Sequence, residues 1–163
     1  MQKNIEKLTL ELSSLLLDTR SMICTAESCT GGLIAKTLTD LAGSSEWFER
    51  GFVTYSNASK VDMLGVLAET LQKFGAVSEQ VVDEMVKGAI FHSKAQIAIA
   101  VSGVAGPGGG SNDKPVGTVC FGFMLWGQCV TETHLYEGDR RQVRESSLRH
   151  ALERLIQLIK IQG

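Results

Sequence analysis

The run Met22-Ile23-Cys24-Thr25-Ala26-Glu27-Ser28-Cys29-Thr30-Gly31-Gly32 decides the fold class. Met22, Ile23 and Cys24 form a short apolar strand. Ala26–Gly32 is a tight segment of small residues. A helix follows from about Leu33 to Leu41 and is closed by Ala42-Gly43. A strand, a tight turn and a helix in that order make the repeating unit of an α/β layer protein.

The same alternation extends outward in both directions. Upstream, Ile5, Leu8, Leu12, Leu15 and Leu16 recur at helical spacing and predict a helix over residues 2–18. Downstream, the β-branched and aromatic run Gly51–Tyr55 predicts a strand. Ser56 and Asn57 can cap a helix starting near Ala58 and ending at Gly65. A short helix over Leu67–Phe74 and a longer one opened by Ser78 and Glu79 follow. Ile97–Val101 is continuously apolar, as in a buried central strand. Val116–Trp126 and Gln128–Tyr136 predict a hairpin turning at Gly127, which makes the sheet mixed. Asp139 to about Ile161 is the last helix. The expected architecture is a three-layer α/β/α fold with a mixed central sheet, one domain over residues 1–163.

Three unusual segments each follow a predicted strand: Ala26–Gly32, Tyr55–Lys60 and Ser102–Ser111. Ligands in open α/β sheets sit where loops leave the carboxyl ends of strands. One shared pocket is therefore expected.

The composition restricts the function classes. The chain has 163 residues, a net charge of −2 and 21% charged residues. Nucleic-acid partners normally demand a basic patch, so none is expected. No apolar run approaches the roughly 18 residues of a membrane span, and the charged N-terminus has no apolar leader. Cys24, Cys29, Cys120 and Cys129 show no C-x-x-C spacing, so a reduced, cytoplasmic protein is expected. His92, His134 and His150 are scattered along the chain, without helical ligand spacing, so no metal site and no cofactor are expected.

Each candidate segment has an ordinary reading beside a chemical one. Ser28 and Cys29 lie at the start of a helix, where free N–H groups and the dipole suit an oxyanion or phosphate. Thr30, Gly31 and Gly32 supply those amides. A plain helix cap is the favoured reading from spacing alone. Tyr55 and Lys60 can face one pocket, and a lysine whose pKa is lowered by burial can take a serine proton. Taken singly, such a lysine is more often solvated. Gly106–Ser111 can cradle a phosphate or be a surface loop. Arg140, Arg141 and Arg144 can bind phosphate or form a wet helix face.

Four segments together are more specific than any one of them: AESCTGG at Ala26–Gly32, GSSEWFERGFVTYSNASK at Gly43–Lys60, GAVSE at Gly75–Glu79 and SGVAGPGGGSNDKPVGTV at Ser102–Val119. Residues of about 20 to 150 resemble the CinA C-terminal domain family, with the nearest likeness to its stand-alone nicotinamide-nucleotide amidohydrolases (PncC type). The resemblance implies an α/β/α fold and hydrolysis of nicotinamide mononucleotide to nicotinic acid mononucleotide and ammonia, in pyridine-nucleotide recycling. It implies a serine, a lysine and a tyrosine as the catalytic set, which fall on Ser28, Lys60 and Tyr55. It implies no metal or organic cofactor. Longer relatives carry an additional N-terminal domain, which is not expected here. The chain departs from many relatives at Gly108, where they have an acidic residue.

On that expectation Lys60, helped by Tyr55, deprotonates Ser28, and amides near Thr30, Gly31 and Gly32 hold the oxyanion. Asn57, Ser102, Gly103, Gly106, Arg140 and Arg144 bind the rest of the substrate, the arginines and the glycine loop taking the phosphate. Two other readings compete. One is a catalytically silent nucleotide-binding relative acting in a competence or damage response. The other is a cysteine amidase using Cys29, activated by the helix dipole. The oligomeric state stays open, with a homodimer among the expectations.

Overall fold

A computed structural model describes residues 2–163; Met1 lies outside the described residues. In chain order the elements are α1 (Gln2–Asp18), β1 (Ile23–Glu27), α2 (Leu33–Thr39), β2 (Phe48–Val53), α3 (Asn57–Leu64), α4 (Ala68–Phe74), α5 (Glu79–Phe91), β3 (Ile97–Gly103), β4 (Thr118–Leu125), β5 (Gln128–Leu135) and α6 (Arg140–Gln162). The sheet has five strands in the order β2-β1-β3-β4-β5. β2, β1 and β3 run parallel, while β4 and β5 are antiparallel. The mixed α/β sheet expected from the sequence is thus present.

Alternation along the strands divides the core between two faces. Ile97, Ile99 and Val101 of β3, with Phe121 and Phe123 of β4, face α1, α2 and α6. Ala98 and Ala100, with Cys24, Ala26 and Cys120, face α5 and α3. The small side chains on this second face let the helices lie close. Gly88 of α5 takes this furthest: a Cβ there would stand 1.9 Å from the Leu64 carbonyl oxygen of α3. Only glycine permits that approach, and it seats α3, which carries Lys60, against the sheet.

Strand limits differ from expectation most in β1, β2 and β3. β1 runs on through Ala26 to Glu27, and β3 through Ser102 to Gly103. Both are paired on two sides, and ladder hydrogen bonds override weak strand propensity. β2 begins at Phe48 rather than Gly51 and ends at Val53, so Tyr55 lies beyond the strand. As an edge strand it tolerates the charged pair Glu49-Arg50, which hides it from hydropathy patterning. The four cysteines are free. Among the described residues no helix is long and apolar enough to cross a membrane.

Candidate active site

The three parallel strands end side by side, and their register brings distant residues together. The Ser28 amide donates to the Val101 carbonyl at 2.9 Å, and the Thr54 amide to the Glu27 carbonyl at 2.8 Å. These bonds extend the ladder by one step on each side of β1. Ser28 therefore sits between the end of β3 and the Thr54-Tyr55 link after β2.

Lys60 enters from α3. Ser56 caps that helix in a reciprocal capping box: its hydroxyl accepts from the Ser59 amide, and the Ser59 hydroxyl accepts from the Ser56 amide. Side chains on a helix lean toward its N-terminus. Lys60, four residues past the cap, thus reaches back over Thr54 and Tyr55. Its Nζ lies 3.0 Å from Ser28 Oγ, 2.9 Å from the Thr54 carbonyl oxygen and 3.4 Å from that of Tyr55.

Lys60 is 1% exposed, and its three partners are one hydroxyl and two carbonyls, none of them charged. Burial pushes its pKa below the ordinary lysine value. Nζ donates to all three. Loss of one proton would leave two N–H groups for the carbonyls and a lone pair facing the Ser28 hydroxyl.

The turn that carries Ser28 is held from two sides. Gly32, the residue before α2, provides no side-chain cap. The Glu27 carboxylate takes that role: it accepts from the Ile34 amide at 2.8 Å and from the Ala35 amide at 3.0 Å, and it is 1% exposed. Arg144 braces the other side, donating to the carbonyls of Cys29 at 3.2 Å and Thr30 at 3.0 Å. The sequence reading assigned Glu27 no role. Its signal is a charged residue inside an otherwise small, apolar run just before a helix without a cap. Glu27→Gln is expected to leave one α2 amide facing an amide donor, costing about 1–3 kcal/mol of stability. Thermal unfolding should show that loss. Steady-state kinetics should show kcat down by up to about 100-fold with KM little changed, because Ser28 is displaced from Lys60.

A cavity of about 220 Å³ opens here, lined by Ser28, Cys29, Tyr55, Asn57, Lys60, Ala76, Val77, Ser102, Gly103, Ala105 and Arg140. Of the residues selected from sequence, Ser28, Tyr55, Asn57, Lys60, Ser102, Gly103 and Arg140 meet in it. Thr30, Gly31, Gly32, Gly106 and Arg144 do not line it. Thr30 is fully buried, and the Gly31 amide already donates to the Ser28 carbonyl. Arg144 is spent on the backbone of the turn. Ala76, Val77 and Ala105 were missed as individual residues, although the GAVSE motif contains two of them.

Tyr55 behaves differently from a proton relay. Its side chain is 59% exposed, and its hydroxyl accepts from Arg140 at 2.9 Å. Its backbone carbonyl, not its hydroxyl, faces Ser28 and Lys60. Arg140 also donates to the Gly106 carbonyl, so it links the Tyr55 and glycine-rich loops at the cavity mouth. Cys29 is 6% exposed, and burial pushes its thiol up to about 11, against the activation expected from the helix dipole. A thiol with that pKa is protonated at neutral pH. A larger groove of about 890 Å³ shares Val77 with the cavity, but Glu79, Asp83, Glu84 and Asp113 line it and make it a poor host for a phosphate.

Residues 5–159 match the CinA C-terminal domain family. The chain is 53% identical to the nicotinamide-nucleotide amidohydrolase PncC of Enterobacter agglomerans, over 88% of each chain. It is 54% identical to the protein of that name from Escherichia coli K12, over 83% of this chain and 82% of the relative. The crystal structure of the competence/damage inducible protein CihA from Agrobacterium tumefaciens superposes with a TM-score of 0.92 at 48% identity, covering 95% of both chains.

Proposed function

Because the chain belongs to the CinA C-terminal domain family, we propose that it hydrolyses the amide of a nicotinamide nucleotide, with Ser28 as nucleophile and Lys60 as its base. The likeness to proteins named nicotinamide-nucleotide amidohydrolase supports the activity. The observation that carries the mechanism is the buried Lys60 amine 3.0 Å from the Ser28 hydroxyl, in a cage of uncharged partners.

Nicotinamide mononucleotide is the substrate this reading names. Lys60 takes the Ser28 proton as Oγ bonds to the carboxamide carbon. The Cys29 amide, beside the nucleophile, would serve as an oxyanion donor. Lys60 then passes its proton to the nitrogen, the C–N bond breaks, and ammonia leaves. Water, deprotonated by the neutral amine, attacks the acyl carbon; the C–Oγ bond breaks, Lys60 returns the proton to Ser28 Oγ, and nicotinic acid mononucleotide is freed. Ala76, Val77 and Ala105 give an apolar wall that suits a planar ring. Arg140 is the cavity's exposed cation and suits the 5′-phosphate. The product is a form that pyridine-nucleotide recycling can reuse.

Purified protein is expected to release one ammonia per nicotinamide mononucleotide consumed. Nucleotide binding without ammonia would instead favour the silent binding relative. The tyrosine separates two versions of the mechanism. Tyr55→Phe is expected to leave kcat within about threefold and to raise KM through the loss of its bond to Arg140. A drop of kcat by about 100-fold or more would place the hydroxyl in the proton path after all.

A further inference from the structure

Away from this cavity, the far edge of the sheet gathers three chemically capable side chains that linear spacing keeps apart. Glu132 and His134 project from β5, the edge strand, and His150 from the middle of α6. His150 Nε2 lies 2.5 Å and His134 Nε2 3.3 Å from the same oxygen, Glu132 Oε1. One donor atom from each of the three falls within 4.8 Å of the others.

We propose that Glu132, His134 and His150 bind a divalent cation of the zinc class, which clips the edge strand β5 to α6. Two imidazoles and one carboxylate are a donor set that zinc favours. A tetrahedral zinc ion holds its ligand atoms about 3.3–3.5 Å apart, at bond lengths of about 2.0–2.1 Å. Drawing the three atoms from within 4.8 Å of one another to this spacing therefore takes displacements on the order of 1 Å. Aromatic packing already orients the rings. His134 stacks on Tyr136 at 5.9 Å with planes 12° apart, and Phe121 lies 4.7 Å from His150. Such support reduces the cost of ordering the ligands. Arg154 donates to the other carboxylate oxygen, Oε2, at 3.0 Å. It leaves Oε1 to the ion and fixes the carboxylate as a monodentate ligand. The three side chains are 20–37% exposed, so the fourth coordination position opens to solvent. The expectation of no metal rested on spacing along the chain, which cannot register a strand residue against a helix residue sixteen positions later.

The test uses the full chain without an affinity tag, stripped with chelator and titrated with Zn²⁺. Binding is read by calorimetry and thermal unfolding, and Co²⁺ is followed by its visible absorption. The expected result is a rise of about 5–10 °C in Tm at a hundredfold excess over Kd, reversed by chelator. Tetrahedral Co²⁺ bands should appear in the wild type. His134→Gln and His150→Gln should each weaken binding by at least about 10-fold. If His150→Gln does not fold, the more exposed His134 variant carries the test. An unresponsive wild type overturns the proposal and leaves the cluster an ion-pair network with Arg154. A response that persists in both variants also overturns it, since the ion would then bind elsewhere.

Discussion

Ser28→Ala is expected to lower kcat for nicotinamide mononucleotide by about 10⁴-fold or more while leaving the fold intact. Losing the nucleophile of a covalent hydrolase removes the chemical step, and such losses reach about 10⁶ where nucleophile and base act as one unit. Ser28 is 8% exposed, and the Thr54 and Tyr55 carbonyls still accept from Lys60 after the change, so thermal unfolding should change little. Nucleotide binding should survive, because Arg140, Asn57 and the apolar wall are untouched. The companion measurement is Cys29→Ala, together with thiol alkylation of the wild type. Neither should reduce turnover more than severalfold, given a buried thiol pushed up to about 11. The opposite pattern, with an active Ser28→Ala and an inactive Cys29→Ala, would move the nucleophile by one residue.

Lys60→Met should be nearly as damaging. General base catalysis of this kind contributes roughly 10²–10⁴-fold, and here the same amine also serves the leaving group. Lys60→Arg should not rescue, since guanidinium stays protonated and cannot accept the serine proton. In the wild type, kcat/KM should rise with pH along a limb set by Lys60, with a midpoint below the ordinary lysine value of about 10.4. That limb should vanish in Lys60→Met. Stability carries the same signature. Burial lowers the folded-state pKa, so between that value and about 10.4 the unfolded chain holds more protons than the native one. Over this window the wild type should gain stability relative to Lys60→Met as pH rises. A difference that stays flat with pH would mean that Lys60 keeps its proton in the fold.

Much of this is legible in the sequence, for identifiable reasons. Glycine and capping hydroxyls mark element ends independently of tertiary context. Gly65, Gly75 and the Ser56 and Ser78 caps therefore fall where expected, as does the turn at Gly127. The gathering of Ser28, Tyr55, Lys60 and Ser102 follows from three parallel strands that end side by side, with Ser102 near the end of β3 and Lys60 on the helix that follows β2. What the sequence hides depends on direction rather than composition. Arg140 and Arg144 share one face of α6, and their places along its axis decide that Arg140 reaches the cavity while Arg144 bonds the backbone of the Ser28 turn. Tyr55 shows its carbonyl rather than its hydroxyl to the lysine because the chain leaves β2 at Val53. Glu27 reads as strand only when β1 is seen paired on both sides.

The bonds from Glu27 to Ile34 and Ala35 also bear on the order in which the site comes together. They close a loop of fewer than ten residues, for which closure costs little conformational entropy. One side of the Ser28 turn can thus form early and from local contacts, while Val101 and Arg144 secure it only once β3 and α6 are in place. Lys60 arrives only when α3 docks, and α3 docks against Gly88, residues far along the chain whose pairing is slower to find. On the proposed mechanism, a nascent or partly folded chain would display Ser28 before Lys60 reaches it, and would stay inert toward amides until the sheet and its helices are complete.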